Sequence, residues 1–84
     1  AEQRTFKTKG ALGVACSRDG RRVGAGGSDG SVRVWDAQEG REIACFEQRG
    51  EFGPTVVRTV VFAPDGKSIL AAGDGGTVHV WNLP

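Results

Sequence analysis

The stretch SDGSVRVWD, residues 28–36, decides the fold, because the chain repeats it as DGGTVHVWN, residues 74–82. Each copy begins with a glycine-rich turn and continues with valines that alternate with other residues, as in a half-buried β-strand. Each copy then ends in tryptophan followed by Asp36 or Asn82. The same shift of 46 residues aligns residues 17–36 with residues 63–82 without a gap. The sequence therefore predicts a duplicated β structure.

Three strands, which we call a, b and c, are predicted in each copy. Runs of β-branched and apolar residues form strand a, Asp-Gly turns lead into strand b, and the repeated stretch supplies strand c. The predicted strands are a at residues 12–16 and 56–62, b at 22–26 and 68–72, and c at 31–35 and 77–81. Each a-b-c unit is expected to form an antiparallel meander.

A fourth strand, d, is predicted at residues 41–46, in the sequence REIACF. Glu2 and Phe6 match Glu42 and Phe46 at a shift of 40 residues, which predicts a second strand d at residues 2–6. The predicted fold is therefore all-β, with two four-stranded antiparallel sheets and the strand order d-a-b-c twice. The corresponding repeats are residues 1–36 and 37–84.

A second alignment of the N-terminus remains open. Residues 2–4 also match residues 47–49 at a shift of 45, which would make the N-terminus a loop. The segment of residues 47–54 is longer than its counterpart in the first repeat and is rich in glycine and charge. We expect this segment to be the most mobile loop of the chain.

The composition limits the classes of partner. The chain has 84 residues, of which 38% are apolar and 25% charged, and its net charge is +1. This balance favours neither nucleic acid nor a membrane surface as a partner. We expect a soluble protein and favour the cytoplasm. Cys16 and Cys45 lie in apolar runs and are expected to be small buried residues, with a disulfide or a reactive thiol as the alternative.

The motifs resemble the WD repeats of β-propellers. The matching stretches are SRDGR (residues 17–21), FAPDGK (residues 62–67) and the two copies quoted above. The resemblance implies that each repeat is a four-stranded propeller blade and that the protein is a non-catalytic scaffold for protein interaction. The residues that match the family's structural positions are Asp29, Trp35, Asp36, Trp81 and Asn82.

The chain departs from the WD pattern at three polar positions. One is the turn aspartate, which is Asp29 in the first repeat but Gly75 in the second, with Asp74 one residue earlier. The family's histidine position falls near Lys7 and Gly53, and its hydroxyl position on strand b holds Ala25 and Ala71. The hydrogen-bonded network that the resemblance implies is therefore absent or reduced. We expect the stability of the fold to depend on packing and on strand pairing.

Two blades alone would leave apolar faces and strand edges open. We expect several copies to close a six- or eight-bladed ring as a trimer or tetramer, because head-to-tail contacts close when the rotation fits. The strand from a neighbouring copy that completes the last sheet is predicted to consist of Glu2, Gln3, Arg4, Thr5 and Phe6. The alternative is an excised or engineered propeller fragment whose only activity is self-association.

No catalytic, cofactor-binding or metal-binding residues are predicted. His79 is the only histidine, and the sequence places no serine, cysteine or second histidine beside it. The candidates for contact with a partner protein are Arg49, Phe52 and Arg58, since arginine and aromatic side chains anchor many interfaces. An enzyme or a ligand-binding propeller is the least favoured alternative.

Overall fold

The structure is a computed structural model that describes Phe6, Thr8 and residues 10–50 and 53–84. Within these residues, the regular secondary structure is entirely β, and no helix is long and apolar enough to cross a membrane. In chain order, the strands are β1 (Ala11–Cys16), β2 (Arg22–Gly27), β3 (Ser31–Asp36), β4 (Glu42–Glu47), β5 (Arg49–Gly50), β6 (Gly53–Pro54), β7 (Val57–Phe62), β8 (Ser68–Gly73) and β9 (Val78–Asn82).

The strands form two antiparallel meanders and a short hairpin. The first sheet has the order β1-β2-β3-β4, the second sheet has the order β7-β8-β9, and β5 pairs with β6. Every residue pair of the second sheet corresponds to a pair of the first sheet at a shift of 46 residues, such as Val60 opposite Ala71 and Val14 opposite Ala25. The duplication predicted from the sequence is therefore confirmed, together with the meander of strands a, b and c in each repeat.

The two sheets have four and three strands among the described residues, which differs from two four-stranded sheets in one chain but agrees with the expectation that the last meander lacks a strand d of its own. Strand β4 was assigned to the second repeat, but it pairs with β3 and completes the first sheet. The short turn after β3 explains this pairing, since Asp36 Oδ1 accepts hydrogen bonds from the backbone N–H groups of Gln38 and Glu39 at 2.9 and 2.8 Å. The second sheet has three strands among the described residues.

The segment expected to be a mobile loop contains the β5–β6 hairpin and is tied to the first sheet. Gln48 is 1% exposed, and its backbone N–H donates to the carbonyl of Gly30 at 2.7 Å. Its side-chain Nε2 donates to Thr55 Oγ1 at 3.0 Å and to the Val56 carbonyl at 3.2 Å. Residues 51 and 52 lie outside the described residues, these hydrogen bonds fix Gln48, and the mobility of the segment stays a prediction.

The two sheets pack face to face, with β7 lying against β1 and β2. The core between them consists of Val32, Val34, Val57, Val60, Ile69 and Ala71. Gly24 lets the sheets approach closely, because a Cβ atom at this position would lie 2.8 Å from Ile69 Cδ1. We call the two surfaces in this contact the inner faces of the sheets.

The prediction that both cysteines are buried is wrong. Cys16 and Cys45 are free thiols and are exposed. The register of the first sheet places both on the side away from the second sheet, where Cys45 is opposite Arg33. Strand periodicity indicates that one side of a strand is apolar, but it does not indicate whether another layer covers that side.

Candidate functional site

Each sheet also has an apolar face that the other sheet does not cover. The first outer face includes Val14, Cys16, Val23, Ala25 and Trp35, which the register of β1, β2 and β3 places on one side. The second outer face includes Val61, Leu70, Ala72, Val78 and Val80, on the outer side of β7, β8 and β9. Val14 and Cys16 are exposed on the first outer face, whereas Ala25 and Trp35 are buried, and Val61, Val78 and Val80 are exposed on the second. Exposed apolar residues grouped in this way mark a site of association.

Three of the four exposed valines of the outer faces are equivalent, in the other repeat, to valines buried between the two sheets. Val14 is 70% exposed, whereas Val60 at the equivalent position of the second sheet is 3% exposed. Val78 is 62% exposed, whereas Val32 at the equivalent position of the first sheet is fully buried. Each outer face is therefore the repeat equivalent of the inner face on the other sheet. Both outer faces have the pattern of a surface that packs against a further sheet.

The outer edge of β9 has no strand partner among the described residues. The equivalent strand, β3, has β4 along the same edge. An unpaired strand presents a row of backbone N–H and C=O groups that can pair with another strand. The edge of β9 thus adjoins the second outer face as a further surface for association.

Two aromatic stacks relate the N-terminus to β4. The Phe46 ring on β4 stacks on Trp81 of the second sheet, with 5.0 Å between the ring centroids and an interplanar angle of 10°. Phe6 stacks on Trp35, the repeat equivalent of Trp81, at 5.1 Å and 27°. Phe6 thus lies on the first sheet as Phe46 lies on the second. This contact supports the shift of 40 over the shift of 45, while residues 2–5 lie outside the described residues.

In the first repeat, Asp29 and Asp36 accept hydrogen bonds from groups in the turns that they begin. Asp29 Oδ1 accepts hydrogen bonds from Ser31 Oγ at 2.7 Å and from the Ser31 backbone N–H at 3.0 Å, and these bonds hold the pKa of Asp29 below its usual value. The backbone N–H groups after Asp36, that of Glu39 first, lower the pKa of Asp36 in the same way. Trp35 is 7% exposed. These carboxylates therefore stabilise turns, and Trp35 packs in the sheet.

The second repeat uses different contacts, since Gly75 stands at the position of Asp29 and the turn carboxylate is Asp74, one residue earlier. Asp74 Oδ1 accepts a hydrogen bond from Arg58 Nε at 2.9 Å, and this bond lowers the pKa of Asp74 and raises that of Arg58. Asn82 Oδ1 accepts a 3.4 Å hydrogen bond from Ser68 Oγ. Trp81 is half-buried. The second repeat therefore joins β7 to its turn with an exposed ion pair.

The three candidates for partner contact do not form one described cluster. Arg49 Nε binds Glu47 Oε1 at 2.7 Å, whereas Arg58 binds Asp74. Phe52 lies outside the described residues. Both arginines are exposed, and each is engaged by a separate carboxylate. The contribution of these three residues to binding stays a prediction.

An open groove of about 750 Å³ lies between the first turns of the two sheets. Acidic and basic side chains of both sheets line it in equal numbers, namely Asp19, Asp36, Asp65, Arg21, Arg22 and Lys67. Asp19 Oδ1 is already engaged by Ser17 Oγ at 2.6 Å and by the Arg21 N–H at 3.0 Å. Local hydrogen bonding therefore accounts for part of this polar lining, and the charges of the groove favour neither an anion nor a cation.

His79 lies on the inner side of β9 and stacks on Trp81, with 5.4 Å between the ring centroids. Among the residues that the structure describes, no three His, Cys, Asp or Glu side chains are grouped as a metal site would require. The surfaces with the strongest physical reason to bind are thus the two outer faces and the edge of β9.

A comparison with protein-family models identifies the fold. The model described as WD domain, G-beta repeat matches residues 2–36 and 43–82. The chain belongs to the WD40 family. Its two matches correspond to two consecutive WD40 repeats, and repeats of this kind generally mediate protein–protein interaction. Comparison with curated proteins gave no match. The antiparallel sheets described above are consistent with WD40 blades.

Gln48 and the individual residues of the outer faces were not singled out from the sequence. The shift of 46 residues pairs three of the four exposed valines with buried ones, such as Val80 with Val34, and this pairing of valines is visible in the sequence. Gln48 has no comparable pattern, since it lies in a polar stretch between Glu47 and Arg49.

Proposed function

We propose that this WD40 chain is a self-assembling unit of a protein-interaction scaffold. Copies of the chain associate through the outer faces and through the open edge of β9, and they close a ring of six or eight blades. The N-terminal residues 2–6 of one copy add a fourth strand to the second sheet of its neighbour. The rim of the ring then presents the connecting loops to a partner protein.

The observation that carries this proposal is the exposure of Val78 and Val80 on the second outer face. These side chains are 62% and 58% exposed, although their equivalents in the first sheet are fully buried. Burial of apolar surface stabilises an association by about 25 cal/mol per Å² before the cost of lost motion. A chain with a second such face at Val14 has a strong reason to associate.

The position of Phe6 supports the exchange of the N-terminal strand. Phe46 belongs to the fourth strand of the first sheet and contacts Trp81 of the following sheet. Phe6 makes the equivalent contact with Trp35, so the sheet that it would complete is the one preceding the first sheet. In a ring, that preceding sheet is the second sheet of another copy. The open edge of that sheet, among the described residues, is the outer edge of β9.

The mass of the assembly in solution tests the proposal. We expect native mass spectrometry and light scattering to give three or four times the 8.8 kDa mass of one chain. Val80→Arg should dissociate the assembly, because it places a charge on the second outer face. Pro64→Arg is the matched control, since Pro64 is exposed and the first repeat has Arg18 at this position. Deletion of residues 1–6 should also open the ring.

The results that contradict the proposal are specific. A wild-type chain that stays monomeric at micromolar concentrations would refute self-assembly. An assembly that Val80→Arg leaves intact would show that another surface holds it. The rival interpretation, a fragment whose only activity is self-association, predicts the same mass but no binding of a partner at the rim. Phe52→Ala combined with Arg58→Ala separates the two, because it should weaken partner capture without changing the mass.

A further inference from the structure

The contact between the inner faces depends on glycines in the first sheet and larger side chains in the second. A Cβ atom at Gly24 would lie 2.8 Å from Ile69 Cδ1 and 3.3 Å from Phe62 Cζ. A Cβ atom at Gly26 would meet the side chain of Val57, and it would lie 3.1 Å from Val60 Cγ1. The small residues of one face thus make room for the large residues of the other.

The second outer face carries larger side chains than the inner face of the first sheet, which is its repeat equivalent. Leu70 stands where the first repeat has Gly24, and Ala72 stands where it has Gly26. The register is the same in both sheets, so these side chains project from equivalent points. On the inner face of the first sheet, the side chains of the second sheet already fill the space at Gly24 and Gly26. The same side chains would therefore overlap Leu70 and Ala72 if they packed on the second outer face.

The first outer face carries smaller side chains than the inner face of the second sheet, which is its repeat equivalent. The differences lie at positions that would meet Leu70 and Ala72 if the two outer faces packed together. Cys16 stands where the second repeat has Phe62. The other two reductions are Val23 in place of Ile69 and Ala11 in place of Val57. Three of the four positions that meet the glycines therefore compensate for the side chains gained on the other outer face, and the fourth, Val14, keeps the size of Val60. This match exists within one chain, so the occupant that fits each outer face is a second copy.

We propose that the second outer face of one copy receives the first outer face of the next copy, in the same register as the contact within the chain. In this docking, Leu70 packs against Cys16 and Val23 of the neighbouring copy, and Ala72 packs against its Ala11. The inference rests on the proposed function and specifies which surfaces meet. The two surfaces are different, so the contact is head-to-tail and propagates around a ring.

Thiol accessibility tests this docking directly. The chain has two cysteines, and a Cys45→Ser variant leaves Cys16 as its only thiol. Cys16 is exposed in one chain and becomes covered when the faces meet. We expect its reaction with an aromatic disulfide reagent to be at least about tenfold slower in the assembly than in urea, because thiol exchange depends on access.

This measurement distinguishes two failures. If the chain assembles but Cys16 reacts at the rate of the unfolded chain, the proposed docking is wrong and self-assembly stands. If the chain is monomeric at every concentration tested, both proposals fail. Slow reaction that accelerates on dilution, together with a falling mass, supports the docking.

A pair of substitutions tests the match in size. Cys16→Phe should raise the dissociation constant of the assembly about tenfold to hundredfold, because the ring would overlap Leu70. Leu70→Ala should restore most of the affinity in the Cys16→Phe background, although alone it should weaken assembly by leaving a cavity. Rescue is feasible because Val23 is the equivalent of Ile69 but lacks its Cδ1 methyl. In the contact within the chain, that methyl is the atom nearest to a Cβ at Gly24, the equivalent of position 70.

Circular dichroism on both variants checks that the β-structure is retained. Cys16→Phe assembling as tightly as the wild type would overturn the docking. A double variant no tighter than Cys16→Phe alone would overturn it as well, since the size of residue 70 would then have no influence on residue 16.

Discussion

Replacement of Gly24 by alanine tests how the two sheets pack within one chain. The added Cβ atom would lie 2.8 Å from Ile69 Cδ1. Ile69 is fully buried, so its methyl group can move only by displacing its neighbours. Overpacking costs about 1–3 kcal/mol, whereas replacing glycine by alanine inside a strand recovers about 0.5–1 kcal/mol. We expect G24A to lower the free energy of unfolding by about 1–2 kcal/mol.

A second substitution identifies the atom responsible for this cost. Ile69→Val removes the Cδ1 methyl and should cost about 1 kcal/mol in the wild-type chain. In the Gly24→Ala background, the same deletion removes the overlap and should cost little. The two substitutions should therefore show a coupling of about 1 kcal/mol. Valine already stands at position 23, the repeat equivalent of Ile69.

Urea denaturation at one fixed protein concentration measures these differences, since association contributes to the apparent stability. Ile43→Val is the matched control, because Ile43 also packs against the core but is not among the atoms near Gly24. Its effect should add to that of Gly24→Ala. A coupling with Ile69→Val no larger than the coupling with Ile43→Val would refute the steric explanation of the glycine.

Three further predictions concern the turns and the aromatic stack. Asp29→Ala should lower stability by about 1 kcal/mol at neutral pH, less than for a buried charged hydrogen bond because the turn is exposed. The folded-state pKa of Asp29 is lowered, so its contribution is present above the ordinary aspartate pKa of about 3.9 and is lost as the pH falls through the folded value; acid titrations of the wild type and the variant should converge. Arg58→Ala and Asp74→Ala should show a coupling at low salt that vanishes near about 1 M salt, because the ion pair is exposed and screened. Phe46→Ala should cost about 2 kcal/mol and change the near-ultraviolet dichroism of Trp81, and an unchanged spectrum would contradict the stack.

The strands and their register were predictable from local features of the sequence. The shift of 46 residues related Val14 to Val60 and Trp35 to Trp81, and the structure pairs the strands with the same shift. Alternation of valines and Asp-Gly turns were sufficient here, because strand direction and turn position depend on a few neighbouring residues. Strand β9 ends at Asn82, one residue beyond the predicted end of strand c.

Burial was harder to predict because it depends on which surfaces meet. Cys16 and Phe62 are repeat equivalents, yet Cys16 is exposed and Phe62 is partly buried against the core. The sequence gives both strands the same alternation, and the difference arises only from the sheet that covers Phe62. The position of Gln48 was unpredictable for a related reason, since its burial depends on hydrogen bonds to Gly30 and Thr55 in separate parts of the chain.

The hydroxyl position on strand b and the turn carboxylates supply few polar contacts between the two sheets, which has a consequence for how blades recognise one another. Ala25 and Ala71 occupy the hydroxyl position of the family's pattern and are 3% and 2% exposed, so no hydroxyl there can donate a hydrogen bond. The carboxylates of Asp29 and Asp36 bind groups only two or three residues away. Arg22 Nη2 donates one hydrogen bond to the Pro84 carbonyl at 2.9 Å between the two repeats, whereas the inner faces themselves meet through apolar side chains, whose sizes then decide how well the faces fit. A contact of this kind tolerates polar changes in the turns, but it rejects a face whose large and small residues are misplaced. The exchange of Gly24 for Leu70 across the repeat would then direct each outer face to the other and away from its own kind.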